Sequence, residues 1–391
     1  MKVAVVGLGK VGHPLATVLS RHGFEVCGIE ISEERIDQLS KIANYKIYNK
    51  PGEFLRECEI VFVIVQTPSV PSGKFDLKYV ESAVKDVSRY LMPDAIITIC
   101  STINVGDIEK LRKYWKNIAY TPLMIALGRV EEDLEKPEYV LIGSDDPKIT
   151  EVLRSVWKKI VGDNVPFIET STRNMEIIKL TFNFWLPAKI SLLNSTAIFC
   201  EKYNGDFRVV AEALKHDTRL AGKRWWNEFG AGAGIGFGGP CFPRDIRNWE
   251  AHLPENVLVK AVERINVEMV ERSVNLIRSF GKKNVVFLGV TYKAGTNLTV
   301  DSQALKILEQ LKKFKDLNIY VYDPTQPSRF SSAKEAVKMG EVIFIAVPWL
   351  EFARLEPHDF REDQIVIDPW RVLVDKKLPC KHYAYGIGWV R

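Results

Sequence analysis

Residues 2–30 constrain the fold more than any other stretch of the chain. Lys2 to Gly7 is a valine-rich apolar run, the pattern of a strand buried on both faces of a parallel sheet. It passes directly into Gly7-Leu8-Gly9-Lys10-Val11-Gly12 and then into helical periodicity that reaches about His22. A second apolar strand, Phe24 to Ile29, ends at Glu30. The glycine pattern alone is a weak signal. Between a strand and a helix, with an acid closing the next strand, it specifies a Rossmann dinucleotide site. Gly7 makes the turn, Gly9 lets a pyrophosphate approach the backbone, and Gly12 lets helix and strand pack. Lys10, Val11 and Ile31 fall along the same cofactor edge. Glu30 can accept hydrogen bonds from both hydroxyls of an adenosine ribose and would repel a 2′-phosphate, so the expected cofactor is NAD rather than NADP. Arg35 is expected over the adenine or its ribose; a solvated helix arginine is the competing reading.

Further strands are expected at Glu59 to Val65 and Ala95 to Cys100, ending in Gln66-Thr67-Pro68-Ser69 and Ser101-Thr102. Ligands of doubly wound sheets bind beyond the carboxyl ends of the strands. Thr67, Pro68, Ser101 and Thr102 are therefore candidates for the nicotinamide side, with ordinary turn chemistry as the alternative. A strand at Tyr139 to Ile142, a helix from Lys148 to Ile160 and a strand near Pro166 to Ile168 complete a first domain, 1–170.

Ser171 or Thr172 can cap a long helix from about Arg173 to Tyr203. Its expected apolar face runs through Ile177, Ile178, Phe182, Trp185 and Ile190, and Pro187 is a possible kink. Lys179 and Asn183, one turn apart, share a face. They either point into a site or form a solvated stripe. Later comes Gly236-Phe237-Gly238-Gly239-Pro240-Cys241-Phe242-Pro243-Arg244-Asp245. Pro243 suits a first helical position. Cys241 then sits at a helix N-terminus, where exposed N–H groups favour a thiolate, with Arg244 and Asp245 in reach. The competing reading is a buried cysteine before a tight turn. The glycine-rich loop Gly230 to Gly234, preceded by Trp225-Trp226, suits a ligand clamp. This helical middle is expected to span 171–280.

From 281 to 391 the pattern returns to strands and helices. Strands are expected at Asn284 to Val290, up to Val321-Tyr322-Asp323-Pro324, at Glu341 to Val347 and at Gln364 to Asp368, with a helix from Ser302 to Lys313. No GxGxxG accompanies them. The fold class expected is α/β: two Rossmann-like doubly wound parallel-sheet domains joined by a central helical domain with a long helix.

The N-terminus lacks the order of a signal peptide, and no apolar run approaches membrane-spanning length. Six scattered cysteines read as reduced thiols of a cytoplasmic protein, and no CxxC or Cys/His cluster suggests a metal. The net charge of +5 is dispersed without interleaved aromatics, so neither nucleic acid nor membrane is an expected partner.

Taken together these motifs resemble the UDP-glucose/GDP-mannose dehydrogenase family over essentially the whole chain. The resemblance rests on Gly7-x-Gly9-x-x-Gly12 with Glu30, Ser101-Thr102, Lys179-x-x-x-Asn183, the Gly236–Asp245 stretch, Tyr292-Lys293-x-Gly295 and Tyr322-Asp323-Pro324. It implies an NAD domain, a central domain that forms homodimers or larger homo-oligomers, and a C-terminal domain for the nucleotide of a nucleotide-sugar substrate. It implies a double oxidation of the sugar C6 alcohol with two NAD, through a thiohemiacetal and thioester on Cys241. Asp245 and Lys179 would hold the water that takes the proton, Lys179 and Asn183 would meet the developing oxyanion, and Thr102 would orient water. Phe237, Gly238, Gly239 and Lys293 would hold substrate, with Arg371 as a C-terminal arginine and Arg219 reaching a neighbouring subunit's sugar. Four departures stand out. Leu123 and Leu127 replace glutamates, Arg244 replaces a lysine, and Val300 replaces an arginine. Without the glutamates the competing readings are a chain that oxidises an unusual sugar or stalls at the thioester or aldehyde; a nucleotide-sugar or NAD binder without turnover is the non-enzymatic alternative.

Overall fold

The computed structural model describes residues 1–217 and 233–390. Arg219, Trp225, Trp226 and most of the Gly230–Gly234 loop lie outside the described residues. The chain forms two compact units, Met1–Phe182 and Asn183–Arg391.

The first unit is built on an eight-stranded sheet: β1 Lys2–Val6, β2 Glu25–Ile29, β3 Lys46–Tyr48, β4 Ile60–Val63, β5 Ile96–Ile99, β6 Ile118–Tyr120, β7 Val140–Gly143 and β8 Phe167–Thr170. The strand order is β3-β2-β1-β4-β5-β6-β7-β8. All pairs are parallel except β6 with β7. The first six strands follow the dinucleotide-binding order, whose direction reverses between β1 and β4. A ligand crevice is expected beyond the carboxyl ends of those two strands. β4 is buried at every residue, and β1 at all but Lys2. Helices cover both faces, which is why these strands read as unbroken apolar runs rather than alternating ones.

The second unit carries β9 Asn284–Leu288, β10 Asn318–Tyr322, β11 Val342–Ile345, β12 Ile365–Asp368, β13 Lys381–Ala384 and β14 Gly388–Trp389. Their order is β10-β9-β11-β12-β13-β14, parallel apart from the edge strand β14. This is the other common doubly wound order. The helices Phe207–His216, Phe242–His252 and Val257–Ser279 precede the sheet.

The long helix runs Thr172–Lys202 with Pro187 inside it. Its buried side is not the one its apolar residues suggest. Ile177 and Trp185 are exposed, at 45% and 68%, whereas Lys179 and Asn183 are buried at 8% and 9%. Of the two readings open for Lys179 and Asn183, the solvated stripe is excluded and the shared face is buried. Met175, Leu180, Phe184 and Ile190 fill the positions around it.

Candidate active site

The dinucleotide loop has the geometry its glycines demand. Gly7 has φ +88°, and a Cβ there would lie 2.3 Å from the carbonyl oxygen of Ile64. A Cβ on Gly12 would lie 1.8 Å from the Gly7 oxygen. Gly9 differs. A Cβ there meets nothing within 4 Å. The protein's own packing does not require glycine at this position, whereas close approach of a pyrophosphate does. No side chain caps the helix Gly12–Arg21, so none occupies the anion-attracting end beside that loop. The residues present fit NAD.

Glu30 closes this loop from below. Its Oε2 accepts the Leu8 N–H at 2.9 Å, and its Oε1 accepts the N–H groups of Ile31 and Ser32 at 2.9 and 3.0 Å. Arg35 donates from Nε to the Leu8 carbonyl at 3.0 Å, so both polar groups of Leu8 are gripped. Lys10 and Ile31 are exposed; Val11 is half-buried. At the carboxyl ends of β4 and β5, Ser101 donates from Oγ to the Val65 carbonyl and accepts the Val65 N–H, at 2.7 and 2.9 Å. Thr67 donates to the Thr102 carbonyl at 2.7 Å. The two loops are thus tied edge to edge, with Pro68 exposed and Thr102 half-buried between them.

Two residues that sequence reasoning passed over anchor the second of these loops. Asn104 accepts the Phe75 N–H and donates to the Phe75 carbonyl, both at 2.9 Å. Glu176, on the long helix, accepts the N–H groups of Gly106 and Ile108 at 2.7 and 2.8 Å. Burial pushes the Glu176 carboxyl above the usual carboxylate range even though those two donors favour its charge. One turn further on, Lys179 donates from Nζ to the Leu123 carbonyl at 3.0 Å and lies 3.6 Å from the Met124 sulfur. Leu123, Ile125 and Leu127 pack against the core. At Leu123, where the resemblance leads one to expect a glutamate, the chain offers Lys179 its backbone carbonyl.

In the second unit Cys241 occupies the N-cap of the helix Phe242–His252, with Pro243 in second rather than first position. Its thiol is exposed. Asp245, one turn on, is fully buried. Its carboxylate accepts from Asn183 Nδ2 through one oxygen and from Arg244 Nε, at 2.8 Å, through the other. Arg244 thus keeps the positive charge of the lysine it replaces and sets it against one Asp245 oxygen through Nε.

The strap before Cys241 is pressed from several sides. A Cβ on Gly238 would lie 2.4 Å from the Asp301 oxygen, and one on Gly239 would lie 2.6 Å from the Tyr292 ring. Burial, then the adjacent Cys241, pushes the Tyr292 hydroxyl up to about 12. Phe237 is buried. The Lys293 ammonium lies 5.8 Å from the Tyr292 ring centroid. Arg371, at φ +62°, donates to the carbonyls of Pro369 and Tyr385, each at 2.9 Å, and to that of Ala233 at 2.6 Å. Burial lowers its guanidinium to about 10. Here it ties together three backbone carbonyls that are far apart in sequence. Arg219 lies outside the described residues.

The second sheet repeats the first turn without its sequence fingerprint. Gly289 follows β9 at φ +92°, its N–H donating to the Tyr322 carbonyl at 2.7 Å. Gly7 donates to the Ile29 carbonyl at 2.8 Å in the same way. Asp323 Oδ2 accepts the Val290 N–H at 2.8 Å, as Glu30 does for Leu8. Among the described residues no group of three or more His, Cys, Asp or Glu side chains is arranged to hold a metal, and no helix is long and apolar enough to cross a membrane.

Three models of one family match in sequence: the NAD binding domain over residues 1–53 and 42–161, the central domain over 173–272, and the UDP binding domain over 286–375. The UDP-glucose 6-dehydrogenase of Rickettsia felis is 30% identical over 99% of this chain and 96% of its own length. The UDP-glucose 6-dehydrogenase AglM of Haloferax volcanii is 26% identical over 96% and 98%. In fold, a UDP-D-ManNAc dehydrogenase from Pyrococcus horikoshii superposes with a TM-score of 0.87 at 24% identity, covering 99% of this chain and all of that one. A UDP-glucose dehydrogenase from Pyrobaculum islandicum gives 0.86 at 24%, over 99% and 98%. Matched from end to end by its NAD-binding, central and nucleotide-binding parts, the chain belongs to the UDP-glucose/GDP-mannose dehydrogenase family.

Proposed function

We propose that this protein is an NAD-dependent nucleotide-sugar 6-dehydrogenase that oxidises the C6 alcohol of a UDP-hexose or UDP-N-acetylhexosamine twice, to the uronic acid. The observation that carries the reading is the pairing of an exposed Cys241 thiol with a buried Asp245 carboxylate one helical turn behind it, the latter held by Asn183 and Arg244. NAD bound at the Gly7–Gly12 loop supplies the hydride acceptor for each oxidation. Asp245 and Lys179 hold a water that takes the C6 hydroxyl proton. Cys241 adds to the aldehyde; the resulting thiohemiacetal loses hydride to become a thioester, and water hydrolyses it. Lys179 and Asn183 donate to the oxyanion at each stage. Thr102 orients water, and Phe237, Gly238, Gly239 and Lys293 hold the sugar nucleotide.

In this reading the chain divides into an NAD domain at 1–170, a central domain at 171–280 and a UDP-binding domain at 281–391. The protein works as a cytoplasmic homodimer or larger homo-oligomer, with neither nucleic acid nor membrane as a partner. Support for self-association is the row Trp185, Leu192, Phe199 and Tyr203 along the long helix, exposed at 68, 66, 63 and 64%.

A screen of UDP- and GDP-sugars tests the assignment. About two NADH should form per acid released, and Cys241→Ser should give about one, stopping at the aldehyde. No NADH with any sugar of the panel would sink it. One observation favours a variant reading in which hydrolysis is slow: Lys179 faces the Leu123 carbonyl where a glutamate is usual. Intact mass after one turnover decides between the two, since slow hydrolysis leaves an acyl adduct on Cys241.

A further inference from the structure

We propose that Asn266 is the positioning residue for Cys241, and that Gln303 holds Asn266 in the orientation this requires. The inference rests on Cys241 being the nucleophile.

Phe237 lies in the strap four residues before Cys241. Its N–H donates to Asn266 Oδ1 at 2.8 Å, and its carbonyl accepts from Asn266 Nδ2 at 3.0 Å. One carboxamide thus holds both polar groups of one backbone residue, as a neighbouring strand would, and fixes rotation as well as position. The amide is itself oriented. Gln303 Nε2 donates to Asn266 Oδ1 at 3.1 Å and to the Asn266 main-chain oxygen at 2.9 Å. A flipped Asn266 would turn N–H toward the donors of Phe237 and Gln303 and set oxygen against the Phe237 carbonyl. The two side chains are 7% and 4% exposed, so water does not substitute for either.

Gln303 carries a penalty in this position. Its Oε1 is buried without a hydrogen-bond partner. An apolar side chain would remove that unsatisfied acceptor, so the donors of Gln303 are what account for it there. The strap has no slack at this point. Gly236 has φ +103°, and a Cβ there would lie 2.3 Å from Asn266 Oδ1 and 2.8 Å from Gln303 Nε2. Three residues later the Gly239 N–H donates to the Val300 carbonyl at 3.1 Å. From there the chain has only Pro240 before the helix cap that bears the thiol.

The two oxidations place different demands on this strap. The first transfers hydride from C6 of the alcohol and does not involve sulfur. In the second, Sγ bonds to C6 of the aldehyde and the carbonyl oxygen takes a proton. The C6–H then leaves with its electron pair as hydride to a second NAD, and the hydroxyl proton passes to water. Only this second sequence depends on where the thiol stands. The strap also holds the sugar in both oxidations, so freeing it should slow the second, which additionally needs the thiol in place, more than the first.

The test uses the full-length protein, with Asn266→Ala and Gln303→Met as variants and Asn256→Ala as control. Asn256 caps the same helix as Asn266 by accepting the Val259 N–H, at 3.1 Å, and does not touch the strap. Two readouts are taken well below the melting temperature: the rate of iodoacetamide alkylation of Cys241 by peptide mass, and the fraction of oxidised sugar trapped as aldehyde by hydroxylamine. Asn266→Ala should lower the second oxidation about tenfold to a hundredfold, release aldehyde and change the alkylation rate. Gln303→Met should do so less, and Asn256→Ala not at all. Wild-type alkylation and partitioning in both variants, or an equal effect in the control, would overturn the proposal. If wild type oxidises no sugar, the functional reading fails, while the alkylation comparison still decides the role of Asn266.

Discussion

At the scale of single residues the site works by contrast. Cys241 and Asp245 are one turn apart on one helix, the first exposed at its cap and the second fully buried. Burial suits a carboxylate that must keep a fixed direction, and exposure suits a thiol that must meet an aldehyde. Asp245→Asn should lower turnover about a hundredfold to ten-thousandfold while leaving NAD affinity unchanged, read by steady-state kinetics and cofactor fluorescence. Turnover within tenfold of wild type would remove Asp245 from the proton path. The cysteine, its glycines and the dinucleotide loop were legible in the sequence because each is a short motif contiguous in the chain. Asn266, Gln303 and Glu176 were not. Their partners lie 29, 37 and 68 to 70 residues away, and no local pattern distinguishes a buried amide or carboxylate from a solvated one.

At the scale of elements, the long apolar strands and the long helix were legible, whereas β3, β6 and β14, of two or three residues each, were not. Such strands are too short to show a period and exist because a neighbouring edge offers hydrogen bonds. The long helix shows the opposite failure. Its apolar residues are distributed over more than one face, so periodicity selected Ile177 and Trp185 as buried when the inward side carries Lys179 and Asn183. Trp185 and Leu192 are a heptad apart and both stand clear of the fold. Trp185→Glu with Leu192→Glu should convert the proposed dimer to monomer by size exclusion with light scattering, while single chains keep their circular dichroism. An unchanged mass for the double variant would place self-association elsewhere.

At the scale of the whole molecule, each unit owns a sheet with core on both faces. Each also owns a glycine turn clamped by an acid, at Gly7 with Glu30 and at Gly289 with Asp323. The two units should therefore respond separately to their ligands. In scanning calorimetry NAD should raise the transition of Met1–Phe182 and UDP that of Asn183–Arg391, each by about 2.7 kcal/mol at a hundred times its Kd. A single transition raised equally by either ligand would show them to be one cooperative body. The open space beside Gly9 has a consequence for the protein inside a cell. Gly7→Ala and Gly12→Ala drive a methyl into backbone oxygen, so those alleles should be cleared as misfolded chains and leave little protein to assay. Gly9→Ala meets nothing of its own fold. It should accumulate to wild-type abundance, as judged by immunoblot, yet fail to complement a null strain: a full-dose, silent allele, marking a residue retained for a guest rather than for the house.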